Sequence, residues 1–259
     1  MGILVVLLAL GMPVGALMGL LGFVGTIYLL GVKTALGVVG MIPYDEMWSY
    51  TFSCVPMFVL MGAIIFHSGI ATRLYTMAHK WLGHLPGGLG IATLTACALF
   101  AAVSGSSLAS AATMGSVALP EMDRYNYKKS FATGIVAAGG TLAILIPPSI
   151  IMIVYGIMTE QSIGKLLIAG IFPGILLTTL YIATGVIIVK LRPDYAAQVA
   201  KRAPFREMIT AVPDVWPVLV LFLLVIGGLY LGLFTPTEGG AIGAIGALVI
   251  SILGRWFTW

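Results

Sequence analysis

Positions without Asp, Glu, Lys or Arg run in long blocks along the chain: Met1 to Val32, Met47 to Thr72, Trp81 to Pro120, Ser130 to Thr159, Leu166 to Val189, Val215 to Thr237 and Gly239 to Gly254. A helix needs about 20 apolar residues to cross about 30 Å of hydrocarbon, so most of these blocks predict membrane crossings. The first lacks the basic flank of a cleaved signal and outruns its short apolar core; it is expected to be structure. Scaffold helices are expected over Ile3 to Leu30 and Met47 to Ile70. The third block differs. Leu89 to Val103 is apolar, Ser104-Gly105-Ser106-Ser107 interrupts it, and Leu108 to Leu119 closes at Pro120. Each half reaches about 20 Å, whereas one rod over 89–119 would be about 46 Å and overshoot the membrane. This predicts a re-entrant helical hairpin over 89–119 with the Ser/Gly tetrad at its tip, the alternative being one long tilted helix with a Gly/Ser kink.

The fourth block carries Gly139-Gly140-Thr141 and then Pro147-Pro148-Ser149. Paired prolines remove two backbone donors and clash with the preceding turn, so the helix over 130–159 must break inside the apolar run. A break bares carbonyls at one half-helix end and N–H groups at the other, ligands for a cation and a dipole end for an anion. A proline kink satisfied by neighbouring helices is the plainer reading. Two interruptions at similar depth favour a site, with Ser104, Gly105, Ser106 and Ser107 on one side and Gly139, Gly140, Thr141, Pro147, Pro148 and Ser149 on the other.

Two polar segments remain. Arg73 to His84 places Leu74, Met77, Ala78 and Trp81 at helical spacing with Arg73, Thr76 and Lys80 opposite, which predicts a helix lying in the membrane interface. Lys190 to Asp214, with Pro193, Pro204 and Pro213, predicts a cytoplasmic connector. Putting both hairpin ends on one side gathers Arg73, Lys80, Arg124, Lys128, Lys129, Lys190, Arg192, Lys201, Arg202, Arg206 and Arg255 there and leaves Lys33 and Lys165 opposite. That asymmetry fixes the cytoplasmic side but not the hairpin, because a full crossing would keep most of it.

Composition agrees. Of 259 residues 60% are hydrophobic and 8% charged, with mean hydropathy +1.10, far from a soluble domain, where about a quarter are charged. A formal charge of +4, scattered between apolar runs, makes no basic stripe for nucleic acid. Cys54 and Cys97 lie inside apolar runs without metal-ligand spacing.

Gly164-Lys165 is followed by Leu166, so no phosphate-binding loop supports direct ATP drive. An intramembrane serine protease would need Ser106 as nucleophile and a base such as His67. The G-x-S-x-G pattern fails, and no base is placed beside the serine. His79 and His84 belong to the interfacial segment. The acids fall at block ends or in loops; Glu238 alone interrupts a run, where it can cap the following helix. Neutral oxygens therefore dominate the interior, which suits Na⁺ better than H⁺. No enzymatic activity and no cofactor are expected.

The hairpin and break resemble the large membrane subunit of tripartite ATP-independent periplasmic (TRAP) transporters. The resemblance is carried by Gly11-Met-Pro13, Val55-Pro56-Met-Phe-Val-Leu-Met-Gly62, Ser68-Gly69-Ile70, Pro86-Gly87-Gly88, Ser104-Gly-Ser-Ser-Leu-Ala109, Met114-Gly115 and Pro120-Glu-Met122. It continues through Ala138-Gly-Gly-Thr141, Ile146-Pro-Pro-Ser149, Tyr155-Gly156, Ser162-Ile-Gly164, Ala169-Gly-Ile-Phe-Pro-Gly174 and Phe234-Thr-Pro-Thr-Glu238.

It implies an all-α membrane protein of the elevator type, built from two inverted repeats that each hold a re-entrant hairpin and a broken helix. It also implies import of an organic anion, such as a C4-dicarboxylate or sialic acid, coupled to Na⁺ across the bacterial inner membrane. A periplasmic substrate-binding protein would deliver the anion, and a small membrane subunit would sit alongside. By position, Ser104, Gly105, Ser106, Gly139, Gly140, Thr141 and Pro147 would hold Na⁺, and Ser106, Ser107, Pro148 and Ser149 would face substrate.

Family members are much longer, so the chain is expected to hold a first repeat and only the start of a second. The expected division is 1–84 for scaffold and interfacial helices, 85–165 for half a transport domain, 166–214 for a spanning helix and connector, and 215–259 for the second repeat's beginning. Gly15, Gly19 and Gly22 after Pro13 share their spacing with Gly239, Gly243 and Gly246 after Pro236, as a repeat would; ordinary helix packing gives such spacing too. The alternative to a transporter is a non-transporting membrane scaffold or assembly subunit.

Overall fold

The computed structural model describes residues 2–196 and 203–254, apart from the side chains of Glu46 and Met47. Lys201, Arg202 and Arg255, which entered the charge asymmetry, lie outside the described residues. Among those described the chain is all helix and turn, the sole β-type pairing being an isolated bridge between Tyr127 and Ala196. Two units form, Met1–Tyr50 and Thr51–Trp259.

The first unit holds α1 (Gly2–Ala9), α2 (Val14–Leu30) and α3 (Val32–Trp48). The single scaffold helix expected over Ile3 to Leu30 is two helices. Gly11 adopts φ +85° and Pro13, which has no N–H, precedes α2, so the ladder cannot run through. Lys33 to Asp45, left unassigned by the apolar blocks, is helical despite Pro43. Polar residues at its ends masked an ordinary helix.

In the second unit α4 (Cys54–His67) begins later than the expected Met47, and α5 (Ile70–Leu82) leaves it at 63°, turned by Gly69 at φ +71°. α5 is the amphipathic helix the pattern predicts. It buries Ile70, Ala71, Leu74, Tyr75 and Ala78 against α6 (Gly88–Ser104) and turns Arg73 and Thr76 outward, with Lys80 half-buried and Trp81, expected on the apolar face, exposed.

α7 (Ser107–Arg124) returns alongside α6. Its outer end meets the start of α6, where the Leu89 N–H donates to the Tyr127 hydroxyl at 3.3 Å. Both mouths of the segment therefore open on one side, and the tip is remote from them: a hairpin, not a kinked rod. α7 does not close at Pro120 as expected. The proline omits one backbone bond, the helix runs on to Arg124, and Asn126 at φ +55° lets the Tyr127 N–H reach Met122 O at 3.0 Å.

α8 (Lys129–Thr141) ends in a 3₁₀ turn, and α9 (Ile150–Met158) resumes at 41° beyond a cis Pro147–Pro148 bond. The predicted break is present. α10 (Ile163–Leu191) is a 29-residue apolar rod with Pro173 inside. After the connector come α11 (Phe205–Ala211), α12 (Trp216–Phe222), a π turn and α13 (Gly228–Tyr230).

α14 (Pro236–Leu253) is opened by the capping box that Glu238 suggested. The Thr235 N–H donates to Glu238 Oε2 at 2.7 Å, and the Glu238 N–H donates to Thr235 Oγ1 at 3.4 Å. α14 lies along α4, where Gly240 meets Met57 and Phe58 and Gly243 meets Met61. Three helical stretches are long and apolar enough to cross a membrane, Ile163–Leu191, Phe205–Tyr230 and Pro236–Leu253, or five with the two bent pairs α4/α5 and α8/α9.

Candidate functional site

The hairpin tip is made by chain chemistry at three consecutive positions. α6 ends at Ser104; Gly105 takes φ +62°, where L side chains are strained; and Ser106 in extended backbone opens α7, its hydroxyl accepting the Ala109 N–H at 3.3 Å. The Ser104 and Ser110 hydroxyls are bonded to each other at 2.8 Å in buried surroundings. The break is built the same way. Ser149, fully buried, adopts extended backbone and accepts the Met152 N–H at 3.4 Å, opening α9.

These two interruptions, 42 residues apart from Ser107 to Ser149, are joined directly. The Ile150 N–H donates to Gly105 O at 3.2 Å. A Cβ on Gly105 would sit 2.6 Å from Pro148 O, so the two backbones touch only because residue 105 has no side chain. Glycines seat the rest. A Cβ on Gly140 would meet Ala111 Cβ at 2.6 Å and Ser107 O at 3.1 Å, and one on Gly139 would strike Cys97. Gly139 and Gly140 thus dock α8 onto both arms of the hairpin.

Of the ten residues read as site candidates, the structure brings Gly105, Ser107, Gly140 and Pro148 into direct apposition, with Ser104, Ser106 and Ser149 beside them. Pro147 is buried at the break and also edges an apolar cavity of about 420 Å³ against α10 and α12. Thr141 departs from the expectation. It is exposed, and its hydroxyl is bonded to Ala138 O at 2.7 Å and to the Tyr181 hydroxyl of α10 at 3.2 Å.

Gly62, quoted above only as the end of the Val55–Gly62 motif, was not among the expected site residues. A Cβ there would lie 2.6 Å from Ser104 O, so α4 crosses the tip at backbone contact. The signal was available in the Met61-Gly62 step, a lone glycine in a run of large apolar residues. Next to this crossing a cavity of about 460 Å³ opens between α4, α7 and the start of α9, lined by Gly62, Phe66 and His67 on one side and by Ser104, Ser106 and Ile150 on the other. Ser106 shares the cavity with His67, but the described residues show no hydrogen bond between them. The Ser106 hydroxyl caps α7, and His67 Nδ1 is bonded to Ala63 O at 2.9 Å. Among the described residues no cluster of three His, Cys, Asp or Glu could hold a metal. Any cation here would meet hydroxyl and carbonyl oxygen, a hard donor set compatible with Na⁺.

Fold and site together define the class: a multi-pass α-helical membrane protein whose apolar body contains a hairpin docked on a broken helix, an architecture at home in the bacterial inner membrane. The family follows from comparison. The model described as "Tripartite ATP-independent periplasmic transporter, DctM component" matches residues 1–258, and the chain belongs to that family.

It is 35% identical to the C4-dicarboxylate TRAP transporter large permease protein DctM of Rhodobacter capsulatus, over 97% of this chain and 59% of that protein. It is 42% identical to the protein of the same name in Pseudomonas aeruginosa, over 78% of this chain and 47% of that one. The sialic acid TRAP transporter large permease protein SiaM of Vibrio cholerae is 34% identical, over 78% and 47%. The chain spans about half the length of the curated relatives it matches.

Proposed function

We propose that the chain supplies the first half of the ion and substrate site of an elevator-type, Na⁺-coupled permease that imports organic anions. The observation that carries this reading is the Ile150 N–H to Gly105 O bond. It joins a hairpin tip to a helix break and brings the helix-capping serines Ser106 and Ser149 and the starts of α7 and α9 together at one place. Carbonyls and hydroxyls of Ser104, Gly105, Ser106, Gly139, Gly140 and Pro147 are the donors for Na⁺, Thr141 having turned its hydroxyl to Tyr181. Ser106, Ser107, Pro148 and Ser149, at the first turns of α7 and α9, face the anion, where helix dipoles favour negative charge. Relatives named for C4-dicarboxylates and for sialic acid support a carboxylate cargo. A small membrane subunit and a periplasmic binding protein are the partners this assignment requires.

The test is uptake of labelled C4-dicarboxylate by a full-length permease that carries these residues, reconstituted with those partners. Uptake is expected to need Na⁺ and to stop in Ser106→Leu, whose side chain would fill the cavity beside the tip. Uptake that persists with choline in place of Na⁺ would reject the coupling ion, and unaltered uptake by Ser106→Leu would remove that serine from the site.

A further inference from the structure

A cavity of about 380 Å³ lies between α6, α8 and α10. Its inner end is at Tyr181, whose hydroxyl meets that of Thr141 at 3.2 Å, and its outer end is at Ser130 and Tyr195, where the connector begins. Leu94, Phe131, Ile135 and Ile188 wall it. The hydroxyl of Thr184, which also lines it, donates to Leu180 O at 2.8 Å, so the walls present hydrocarbon. Gly134 of α8 and Gly185 of α10 line it too, and a Cβ on either would meet nothing within 4 Å. These glycines seat no neighbouring helix; they leave the groove open.

The outer end is of opposite character. Lys128 Nζ stands 4.4 Å from the centre of the Tyr195 ring, and the Arg192 guanidinium carbon 5.9 Å from it. The backbone holds them there, because the Lys128 N–H donates to Tyr195 O at 3.0 Å and the isolated bridge joins Tyr127 to Ala196. Both side chains are exposed, and among the described residues neither forms an ion pair. Asp194 precedes Tyr195 in the chain yet pairs with neither, and Glu121 is bonded to Arg124 at 3.2 Å. Asp123 and Lys129 face a separate cavity between α7 and α8. Two cations around one ring, with no acid between them, leave positive charge to be met from outside the chain.

We propose that this groove holds one anionic phospholipid, its phosphate between Lys128 and Arg192 and an acyl chain along Gly134 and Gly185. An apolar groove in a bundle that crosses the bilayer is bathed in hydrocarbon, and a basic pocket between helices, on the side where Lys and Arg gather, meets anionic headgroups. A free phosphate ester would satisfy the cations but leave the groove unfilled.

Binding of a fluorescent phosphatidylglycerol to the full chain in detergent tests this. The unlabelled competitors are phosphatidylglycerol, phosphatidylcholine with the same acyl chains, and glycerol 3-phosphate. Wild type is expected to prefer phosphatidylglycerol to phosphatidylcholine by about tenfold, and Lys128→Gln combined with Arg192→Gln to lose that preference, each cation near the surface giving about fivefold for an anionic headgroup. Gly185→Leu, whose side chain would occupy the groove, is expected to weaken binding of both lipids by about tenfold. Glycerol 3-phosphate is expected not to compete. Equal affinity of wild type for the two lipids, or a preference that survives in the double variant, overturns the headgroup site. Unchanged binding by Gly185→Leu overturns the placement of the tail, and competition by glycerol 3-phosphate at lipid-like concentrations assigns the cations to a free phosphate ester instead. The glutamine pair alters exposed side chains alone, so the test stands even if leucine disturbs α10.

Discussion

Gly105 is the residue on which the apposition of tip and break turns. Its positive φ alone costs a side chain about 1–2 kcal/mol, and the 2.6 Å approach to Pro148 O adds a backbone clash. Gly105→Ala is therefore expected to lower the thermal midpoint in detergent and to abolish uptake. Gly134→Ala, in α8 with nothing within 4 Å of the added methyl, is expected to hold or raise the midpoint, since alanine is the better helix former by about 0.5–1 kcal/mol.

His79 makes a second residue-scale prediction. It lies half-buried on α5 between the rings of Tyr75 and Tyr125, and burial holds its imidazole below the ordinary range, partly offset by the Glu121 carboxylate. Because the folded state disfavours the protonated ring, the stability it contributes is complete above the ordinary imidazole pKa. That stability is lost as pH falls through that value, where the unfolded chain takes up the proton first. The thermal midpoint of wild type should fall more between about pH 7.5 and about pH 5.5 than that of His79→Gln; equal falls would sink the assignment.

At the scale of elements, the interruptions were legible in the sequence because they are written in residues with few conformational alternatives. Pro147-Pro148 cannot continue a helix, and two short apolar halves flanking Ser104–Ser107 cannot span as one. The amphipathic α5 was legible for the same reason, its charges falling on one face. Helix ends were not. Pro120 looked like a stop yet sits inside α7, and Gly11-Met12-Pro13 looked passable yet divides α1 from α2. A single proline removes one bond, and tertiary packing decides whether the helix survives.

Contacts far apart in sequence were beyond the pattern altogether. These include the crossing of α4 over the tip at Gly62, the turn of Thr141 toward Tyr181, and the Trp81 Nε1–H donation to Met208 O at 2.9 Å that ties α5 to the connector. Gly62→Leu should displace the tip and abolish uptake. Asp214→Asn should cost at most about 1 kcal/mol, because its ion pair with Arg73 is solvent-exposed. A large loss of thermal midpoint in Asp214→Asn would show the connector to be a structural clamp.

At the scale of the whole molecule, the described residues of the Thr51–Trp259 unit hold one hairpin, one broken helix and a glycine-faced helix, α14, whose Gly239, Gly243 and Gly246 share their spacing with Gly15, Gly19 and Gly22 of α2. In the proposed elevator motion the hairpin and broken helix travel together, since the Gly105 to Ile150 bond and the Gly140 contact make them one body.

The account's central claim is that this body holds Na⁺ between tip and break. Thermal unfolding of the purified chain in detergent, followed while NaCl replaces choline chloride at constant ionic strength, tests it most directly. A bound ion stabilises the folded state in proportion to the logarithm of its concentration above Kd. The midpoint of wild type should climb with Na⁺, and that of Gly105→Ala should stay flat. Superimposable Na⁺ and choline curves for wild type would contradict the claim.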